Sequence, residues 1–217
     1  MSHSGGDRPA GNPLEQVRSL YTELANHPER DFGWGKGRDN ARLLGYAVEW
    51  LDCLPQSVWE SAAAVGNPFS LGPVNAGEKV VDIGCGAGAD ACVAALLVGA
   101  GGRVVGVDCT PAMLAKAAAN ATVAGLPQLE FHEADMRKLP LQDCSADVAI
   151  SNGASTSLKT SRWCWKKSSG CFIRVAECRS LTWCVILLPR IPPVLDAGNP
   201  GLTAYPVPLI RIRSLLC

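Results

Sequence analysis

Short β-branched runs alternate with helical stretches between residues 78 and 151, and this alternation limits the chain to few folds. The runs have the length and composition of strands; they are 79–83, 103–107, 129–132 and 146–151. Alanine-rich segments at 89–98 and 110–124 separate the first three runs. Strands joined through helices pair in parallel, because each crossover returns the chain to the edge where it began. The pattern therefore predicts an open α/β sandwich with a parallel sheet.

A glycine-rich turn follows the first strand directly, in VVDIGCGAGAD at residues 80–90. Gly84, Gly86 and Gly88 let the chain turn sharply, let a ligand approach the backbone, and let the next helix direct its N-terminus at that ligand. Asp108 ends the second strand twenty residues after Gly88, where doubly wound folds place a ribose-binding acid, and Asp135 follows the third strand. A tight turn without a ligand is the alternative interpretation. The GxGxG spacing disfavours a dinucleotide-dependent oxidoreductase, which uses GxGxxG, and no Lys-Ser/Thr pair follows as in a phosphate-binding loop.

These motifs, in this order, resemble those of the class I S-adenosylmethionine-dependent methyltransferases. VVDIGCGAG resembles their first motif, VVGVD their second, HEADMRKLP their third, and DVAISNGA the end of their fourth strand. Within the class, GNPFSLGPVNAGEKVVDIGCGAGAD is similar to the arsenite methyltransferases and their bacterial relatives. The resemblance covers residues 31–154 and implies a Rossmann-like sheet that binds S-adenosylmethionine. Positioning can supply most of the catalysis of methyl transfer, so no metal or covalent nucleophile is required and no catalytic residue is assigned.

The same resemblance implies a set of cofactor-binding residues. The three glycines would line the methionine part of the cofactor, with Asp82 beneath their loop, while Asp108 would bind the ribose. Cys109 and residues 134–136 would surround the adenine, and Ser151 with Asn152 would face the transferred methyl. The predicted set is Asp82, Gly84, Gly86, Gly88, Asp108, Cys109, Ala134, Asp135, Met136 and Ser151.

The resemblance gives less support for arsenite as the methyl acceptor. Arsenite methyltransferases hold trivalent arsenic through cysteine thiolates, one before the first strand and one after the fourth. The matching positions here are Val65 and Gly153, and neither can bind arsenic. The implied function is therefore transfer of a methyl group to a small-molecule acceptor, in an arsenite-methyltransferase-like enzyme of unassigned substrate.

Residues 1–77 are predicted to form an N-terminal helical segment. Asn12 as N-cap, Pro13 and Glu15 start a helix that runs to about residue 26. Apolar residues at helical spacing predict a second helix; they are Leu43, Leu44, Ala47, Trp50, Leu51 and Leu54. A third short helix begins at Pro55 and carries Val58 and Trp59. The glycine-rich FGWGKG at residues 32–37 is either a lid over the cofactor or a linker.

The formal net charge of zero conceals two segments of opposite charge. Residues 1–154 hold 18 acidic and 11 basic side chains, whereas residues 155–217 hold 2 and 9, together with five of the ten cysteines. The acidity of the first segment argues against nucleic-acid or anionic-membrane partners. No CxxC pair supports a zinc site, so no metal is expected. Because no signal sequence or long apolar run is present, we expect a cytoplasmic protein.

The basic segment, residues 155–217, lacks the periodicity of the preceding residues and permits two interpretations. In one, a genuine tail rich in tryptophan and lysine engages an anionic partner, and the chain is a noncatalytic cofactor-binding protein. In the other, it is a translation of the wrong reading frame. Codons read from the third base convert Trp163-Cys-Trp-Lys166 into Val-Leu-Glu, and suitable codons from Ser155 onward permit a helix, a Pro-Gly-Gly turn and a strand.

We favour the shifted frame. The predicted units are then the helical segment 1–77, the cofactor-binding half 78–154 and an aberrant, poorly ordered tail at 155–217. The C-terminal half of the sheet would be missing, and the apolar edge of the fourth strand, residues 148–150, would be left unpaired. We expect a chain with impaired turnover.

Overall fold

The computed structural model describes residues 12–136, 138–142 and 145–153, together with the backbone of strands 164–166, 172–174 and 183–187. Most of the segment predicted to be poorly ordered, 155–217, lies outside the described residues. The predictions for its reading frame therefore stay predictions.

The first predicted helix is confirmed as α1 (Pro13–Asn26). The Asn12 side chain accepts a hydrogen bond from the Leu14 backbone N–H at 3.1 Å, which satisfies one free amide of the first turn. The third predicted helix is also present, as the short α4 (Gln56–Glu60) that follows Pro55 and buries Val58 and Trp59 completely in the core.

The second predicted helix is wrong in one respect: it is two helices. Helices α2 (Gly37–Leu43) and α3 (Val48–Cys53) are separated at Gly45, whose φ of +80° is open to glycine and strained for other residues. The Gly45 N–H bonds to the Arg42 carbonyl and the Tyr46 N–H to the Ala41 carbonyl, the hydrogen-bond pattern that closes a helix C-terminus. Helical periodicity alone cannot reveal this break. As a result Leu43 is 87% exposed, while Tyr46 is buried.

A parallel sheet follows, with the predicted strands and helices all present. Its strands are β1 (Lys79–Ile83), β2 (Arg103–Asp108), β3 (Leu129–Glu133) and β4 (Val148–Asn152). Helix α5 (Ala89–Val98) joins β1 to β2, and α6 (Pro111–Val123) joins β2 to β3. The spatial order β3-β2-β1-β4 reverses direction beside β1. Ligands of open α/β sheets bind where the strand order reverses in this way.

The two faces of the sheet bury alternate residues of each strand. Val80, Val104 and Val148 pack against α5 and the N-terminal helices, in a core that contains Trp59. Val81, Val105 and Ala149 point to the opposite face and pack against the segment that follows β3. The N-terminal segment is therefore part of the core on one face, and its residue Val65 reaches the carboxyl end of β4.

The expectation that β4 would have an unpaired edge is wrong. After β5 (Cys164–Lys166) and β6 (Phe172–Arg174), which form a separate antiparallel pair, β7 (Trp183–Leu187) pairs antiparallel with β4. The register opposes Ala149 to Ile186. The segment WCVIL is rich in aromatic and β-branched residues, which favour strands, but its continuous apolar character gives no alternating signal.

Candidate functional site

An open cleft lies over the carboxyl ends of the parallel strands, between the sheet and the N-terminal segment. Eight of the ten predicted cofactor-binding residues line it: Asp82, Gly84, Gly86, Asp108, Cys109, Ala134, Asp135 and Met136. They come from the ends of three neighbouring strands and the loops that follow them. The parallel topology brings these loops to one edge, because each follows the carboxyl end of a neighbouring strand.

The glycine turn forms the floor of the cleft in a backbone conformation that side chains disfavour. Gly84 has φ of +75° and Gly86 has φ of +52°. The Gly84 N–H donates to the Val107 carbonyl at 2.7 Å, which holds the turn against β2. A Cβ added at Gly86 would meet no heavy atom within 4 Å, so the space beside this residue is open. The turn is a cradle into which a ligand can approach the backbone.

Asp108 spans two loops of the site. One carboxylate oxygen, Oδ2, accepts from the Gly86 N–H at 3.0 Å, and the other, Oδ1, accepts from the Thr110 N–H at 2.8 Å. The Asp108 backbone carbonyl also accepts from the Ala134 N–H at 3.0 Å, which fixes the loop after β3. Each carboxylate oxygen retains acceptor capacity. The side chain is therefore immobilised beside the cradle and can still accept hydroxyl donors.

Asp82 lies beneath the turn with 1% of its surface exposed, and it also lines the cleft. Its Oδ2 atom has no hydrogen-bond partner among the described residues. Burial raises the pKa of this carboxyl well above its usual range, and the charges of Asp90 and Asp108 raise it further, while a hydrogen bond from the Ala91 backbone lowers it. An unpartnered buried carboxyl oxygen beside a cradle fits a cationic or hydrogen-bond-donating ligand.

Gly88 and Ser151, also predicted to contact the cofactor, are not among the residues that line the cleft. A Cβ at Gly88 would lie 3.1 Å from both the Ala117 Cβ and the Phe131 ring, so glycine allows α6 and β3 to pack closely there. The Ser151 hydroxyl donates to the Ile83 carbonyl at 2.8 Å and ties β4 to β1. Both residues lie behind the cleft lining and hold the neighbouring elements in place.

A polar cluster of Tyr46, Asp90 and Asn152 forms the wall on the β4 side. The Tyr46 hydroxyl donates to Asp90 Oδ1 at 2.6 Å, and Asn152 Nδ2 donates to Asp90 Oδ2 at 2.9 Å. Asn152 also contacts the N-terminal segment, since its Oδ1 accepts from the Val65 N–H at 3.2 Å and its Nδ2 donates to the Gly66 carbonyl at 2.9 Å. The amide thus joins the end of β4 to the helical segment.

Sequence reasoning assigned Asn152 to this side but missed Tyr46 and Asp90. Asp90 stands in the first turn of α5, where an acid is ordinarily explained by the helix dipole. Tyr46 follows Gly45, at the break between α2 and α3, and it lines the cleft. Burial raises the pKa of Tyr46 well above its ordinary value, and the neighbouring Asp90 raises it further, so this phenol stays protonated. Burial also raises the pKa of Asp90, although the hydrogen bonds from Tyr46 and Asn152 oppose this.

Val65 and Gly153, the two positions matched to arsenic-binding thiolates, are neighbours in the structure. A Cβ at Gly153 would lie 3.5 Å from Val65 Cγ2. The thiols that do line the cleft, within the described part of the chain, are Cys85 and Cys109. Burial raises the pKa of the Cys85 thiol well above its usual range, and Asp82 and Asp108 raise it further. The described residues also contain no group of three or more His, Cys, Asp and Glu that could hold a metal ion.

Comparison with known proteins shows what the chain is similar to. Residues 74–174 match a family model described as a methyltransferase domain. An arsenite methyltransferase of Halobacterium salinarum is 42% identical over 160 residues, which cover 67% of this chain and 41% of that protein. An arsenite methyltransferase of Aquipseudomonas alcaligenes is 42% identical over 83 residues, 35% of this chain and 24% of that protein. The chain spans less than half the length of these curated relatives.

A solved structure of an arsenic(III) S-adenosylmethionine methyltransferase from Chlamydomonas reinhardtii is 32% identical, with a TM-score of 0.39, over 55% of this chain and 40% of that one. In the part of the chain that the structure describes, no helix has the length and apolar character needed to cross a membrane. The family resemblance drawn from the glycine turn and Asp108 is confirmed by the domain match and the sequence identity. Over residues 74–174, the chain is therefore similar to a methyltransferase domain.

Proposed function

We propose that this chain binds S-adenosylmethionine and transfers its methyl group to a small-molecule acceptor. The observation that supports this most directly is the hydrogen bond from the Gly86 N–H to Asp108 Oδ2. It places a fixed carboxylate at one side of a glycine cradle with open space above it. A nucleoside with two ribose hydroxyls and an extended polar substituent matches such an arrangement.

The residues present fit this cofactor. Asp108 would hold the ribose hydroxyls, Ala134 and Met136 would contact the adenine, and the turn at 84–86 would hold the methionine part. Asp82, whose Oδ2 lacks a partner among the described residues, would lie beneath the positively charged end. When bound, S-adenosylmethionine supplies a methyl group already activated by its sulfonium charge. We assign cofactor binding to residues 78–154 and the covering wall to residues within 1–77.

The charge of the cleft supports a cationic cofactor. Its lining contains four aspartates, and Lys, Arg and His are absent from the described lining residues. The four are Asp82, Asp90, Asp108 and Asp135. A cleft lined by carboxyl groups favours cationic ligands over anionic ones. The excess of acidic residues in 1–154 likewise supports the absence of nucleic-acid and membrane partners.

The chain's own contribution to methyl transfer would be positioning and exclusion of water. Helix α1 places Leu14, Val17 and Tyr21 along the cleft, opposite the glycine turn. This helix is held to the body of the domain, since the Ser61 hydroxyl donates to the Leu24 carbonyl at 3.3 Å. A fixed wall that orients the acceptor toward the methyl can supply a large part of the rate enhancement of an in-line displacement.

Although the curated relatives are named arsenite methyltransferases, the cleft gives little support for arsenite held by thiolates. Val65 and Gly153 provide an apolar contact where two thiolates would be needed. Soft thiophilic centres are held by sulfur ligands. We therefore propose a small-molecule acceptor without assigning arsenite.

Calorimetric titration of the full chain with S-adenosylhomocysteine tests the cofactor assignment, with NAD as the control ligand. We expect saturable one-to-one binding of S-adenosylhomocysteine and none of NAD. Absence of binding by S-adenosylhomocysteine would overturn the proposal. Transfer of labelled methyl from S-adenosylmethionine to a panel of small hydroxyl, amine and arsenic compounds then tests the activity.

A further inference from the structure

Resting on the proposed function, we propose that Trp59 is a cofactor-binding residue whose indole N–H donates a hydrogen bond to the carboxylate at the amino-acid end of S-adenosylmethionine. The residue belongs to the short helix α4 of the N-terminal segment, which lies outside the predicted set of cofactor-binding residues. The inference rests on an unpartnered buried donor, on its place in the cleft, and on the engagement of neighbouring donors within the protein.

The indole of Trp59 is a buried donor without a partner. Only 1% of the Trp59 surface is exposed, and Nε1 has no hydrogen-bond partner among the described residues. An indole can only donate, and buried tryptophans usually bond their N–H to an acceptor. Because this N–H is already removed from water, a ligand atom that accepts from it requires no further desolvation of the donor.

Trp59 also lines the cleft, together with the glycine turn and Asp82. Its ring packs edge-on against Tyr46, with the ring centroids 5.8 Å apart. Burial raises the pKa of Tyr46, and the charges of Asp90 and Asp82 raise it further, so Tyr46 and Asp82 are close enough to interact. Trp50 packs against the same tyrosine but is not among the described residues that line the cleft. Trp59 is thus the indole of this aromatic cluster that reaches the ligand space.

A second unpartnered atom in the cleft lining is an acceptor, Asp82 Oδ2. A ligand that satisfies both atoms must present an acceptor to Trp59 and a donor to Asp82. An α-amino acid does so through its carboxylate and its ammonium group. In the proposed function the ribose lies on Asp108 and the adenine on Ala134 and Met136. The amino-acid end is therefore the part of the cofactor left for the two unpartnered groups.

Neighbouring donors of the cleft are already engaged within the protein. The glycine turn donates to protein acceptors through four of its amides, those of Gly84, Cys85, Gly86 and Gly88. The side chains of Tyr46, Ser61 and Asn152 donate to protein acceptors as well. Lys, Arg and His are absent from the described lining residues. A neutral donor such as the Trp59 indole is therefore needed for the carboxylate, and hydrogen bonds to ionised acceptors are among the strongest.

Calorimetric titration of the full chain with three ligands tests this contact. They are S-adenosylhomocysteine, the same molecule with hydrogen in place of its carboxylate, and the same molecule with hydrogen in place of its ammonium group. We expect Trp59→Phe, which keeps an aromatic ring and removes the N–H, to weaken both ligands that carry the carboxylate at least fivefold. The ligand without the carboxylate should bind Trp59→Phe and the wild type within twofold of each other.

Trp50→Phe is the matched control. Trp50 packs edge-on against the same Tyr46 ring, with centroids 6.5 Å apart, and lies outside the described lining of the cleft. This substitution perturbs the same aromatic cluster without removing the proposed donor. We therefore expect all three ligands to bind Trp50→Phe within twofold of the wild type.

The indole N–H of Trp59 can also be observed directly in the wild-type chain, without any substitution. Its NMR signal is assigned through the backbone resonances of Trp59. We expect the N–H signal to move downfield when S-adenosylhomocysteine or the ligand without the ammonium group binds, because each carries the carboxylate. The ligand without the carboxylate should leave the signal unchanged.

The outcomes separate this inference from the proposed function. If S-adenosylhomocysteine does not bind the wild type, both are overturned. If it binds, the inference alone is overturned when Trp59→Phe weakens the ligand without the carboxylate as much as S-adenosylhomocysteine, since the effect is then structural. The inference is also overturned when Trp59→Phe changes no affinity or when the indole signal does not respond to the carboxylate. If Trp59→Phe does not fold, the NMR response of the wild type decides.

Discussion

The backbone N–H of Gly86 donates to Asp108 Oδ2 across 3.0 Å, so the glycine turn after β1 and the acid at the end of β2 form one rigid unit. A carboxylate in such a unit loses little freedom when a ligand binds, since its side chain is already ordered. The position of the turn therefore depends on Asp108, and the orientation of Asp108 depends on the turn.

Substitution of Asp108 by alanine should weaken cofactor binding at least tenfold. Charge-assisted hydrogen bonds contribute about 1.5–3 kcal/mol each, and 1.4 kcal/mol corresponds to tenfold in affinity. The measurement is calorimetric titration with S-adenosylhomocysteine. Asp39→Ala, which removes an exposed carboxylate paired with Arg42, is the control and should bind normally. An unchanged dissociation constant in Asp108→Ala would remove the ribose assignment.

Gly86→Ala should affect binding more than stability. The φ of +52° is strained for alanine, at a cost of about 1–2 kcal/mol, and the added methyl would project into the open space of the cradle. Gly125→Ala is a matched control because Gly125, at φ of +66° after α6, also has nothing within 4 Å of an added Cβ. Both variants should lower the melting temperature by similar amounts. Equal affinity for S-adenosylhomocysteine in the two variants would show that the cradle does not hold the ligand.

Asp82 should destabilise the fold at neutral pH. Burial raises its folded-state pKa above the unfolded value of about 3.8, so the folded protein binds more protons than the unfolded chain between the two values. Stability therefore decreases as the pH rises from about 4 through the folded-state pKa. We expect Asp82→Asn to flatten this dependence when melting temperature is recorded against pH, and Asp39→Asn to leave it unchanged. A curve for Asp82→Asn that parallels the wild type would contradict the prediction.

A pair of thiols at positions 65 and 153 should create an arsenic-binding site. The Cβ of a residue at 153 would lie 3.5 Å from Val65 Cγ2, which is close enough for two sulfurs to share one arsenic atom. We expect V65C/G153C, kept reduced, to bind arsenite at least tenfold more tightly than the wild type, with a stability cost of about 1–2 kcal/mol from the φ of +80° at Gly153. The single variants are the controls. Equal affinity in single and double variants would show that the two positions do not act together.

Local signals predicted the parts of this fold that depend on neighbouring residues. The cap at Asn12, the glycine turn at 84–88 and the strand before it each depend on a few consecutive residues, and all three are present. The break at Gly45 was missed because its flanking residues keep helical spacing, so only the backbone reveals the end of α2.

The features that the sequence did not predict are contacts between residues distant in sequence. Tyr46, Asp90 and Asn152 belong to three elements, and no spacing rule connects a tyrosine after a short helix with an asparagine 106 positions later. The pairing of β7 with β4 is similarly long-range. In contrast, the sequence could predict that the loops after β1, β2 and β3 lie together, because parallel strands place their carboxyl ends at one edge.

The contacts of Asn152 limit when the cleft can form during synthesis. Its partners Tyr46, Val65 and Gly66 precede it by 86 to 106 residues. At a translation rate of 5–20 residues per second, the N-terminal helices leave the ribosome roughly 5 to 20 s before β4 is complete. During that interval the polar wall lacks its amide, and Asp90 has one hydrogen-bond donor fewer. The nascent chain must therefore keep its first helices available until its fourth strand emerges, so the β4 side of the cleft is the last part of its described lining to form.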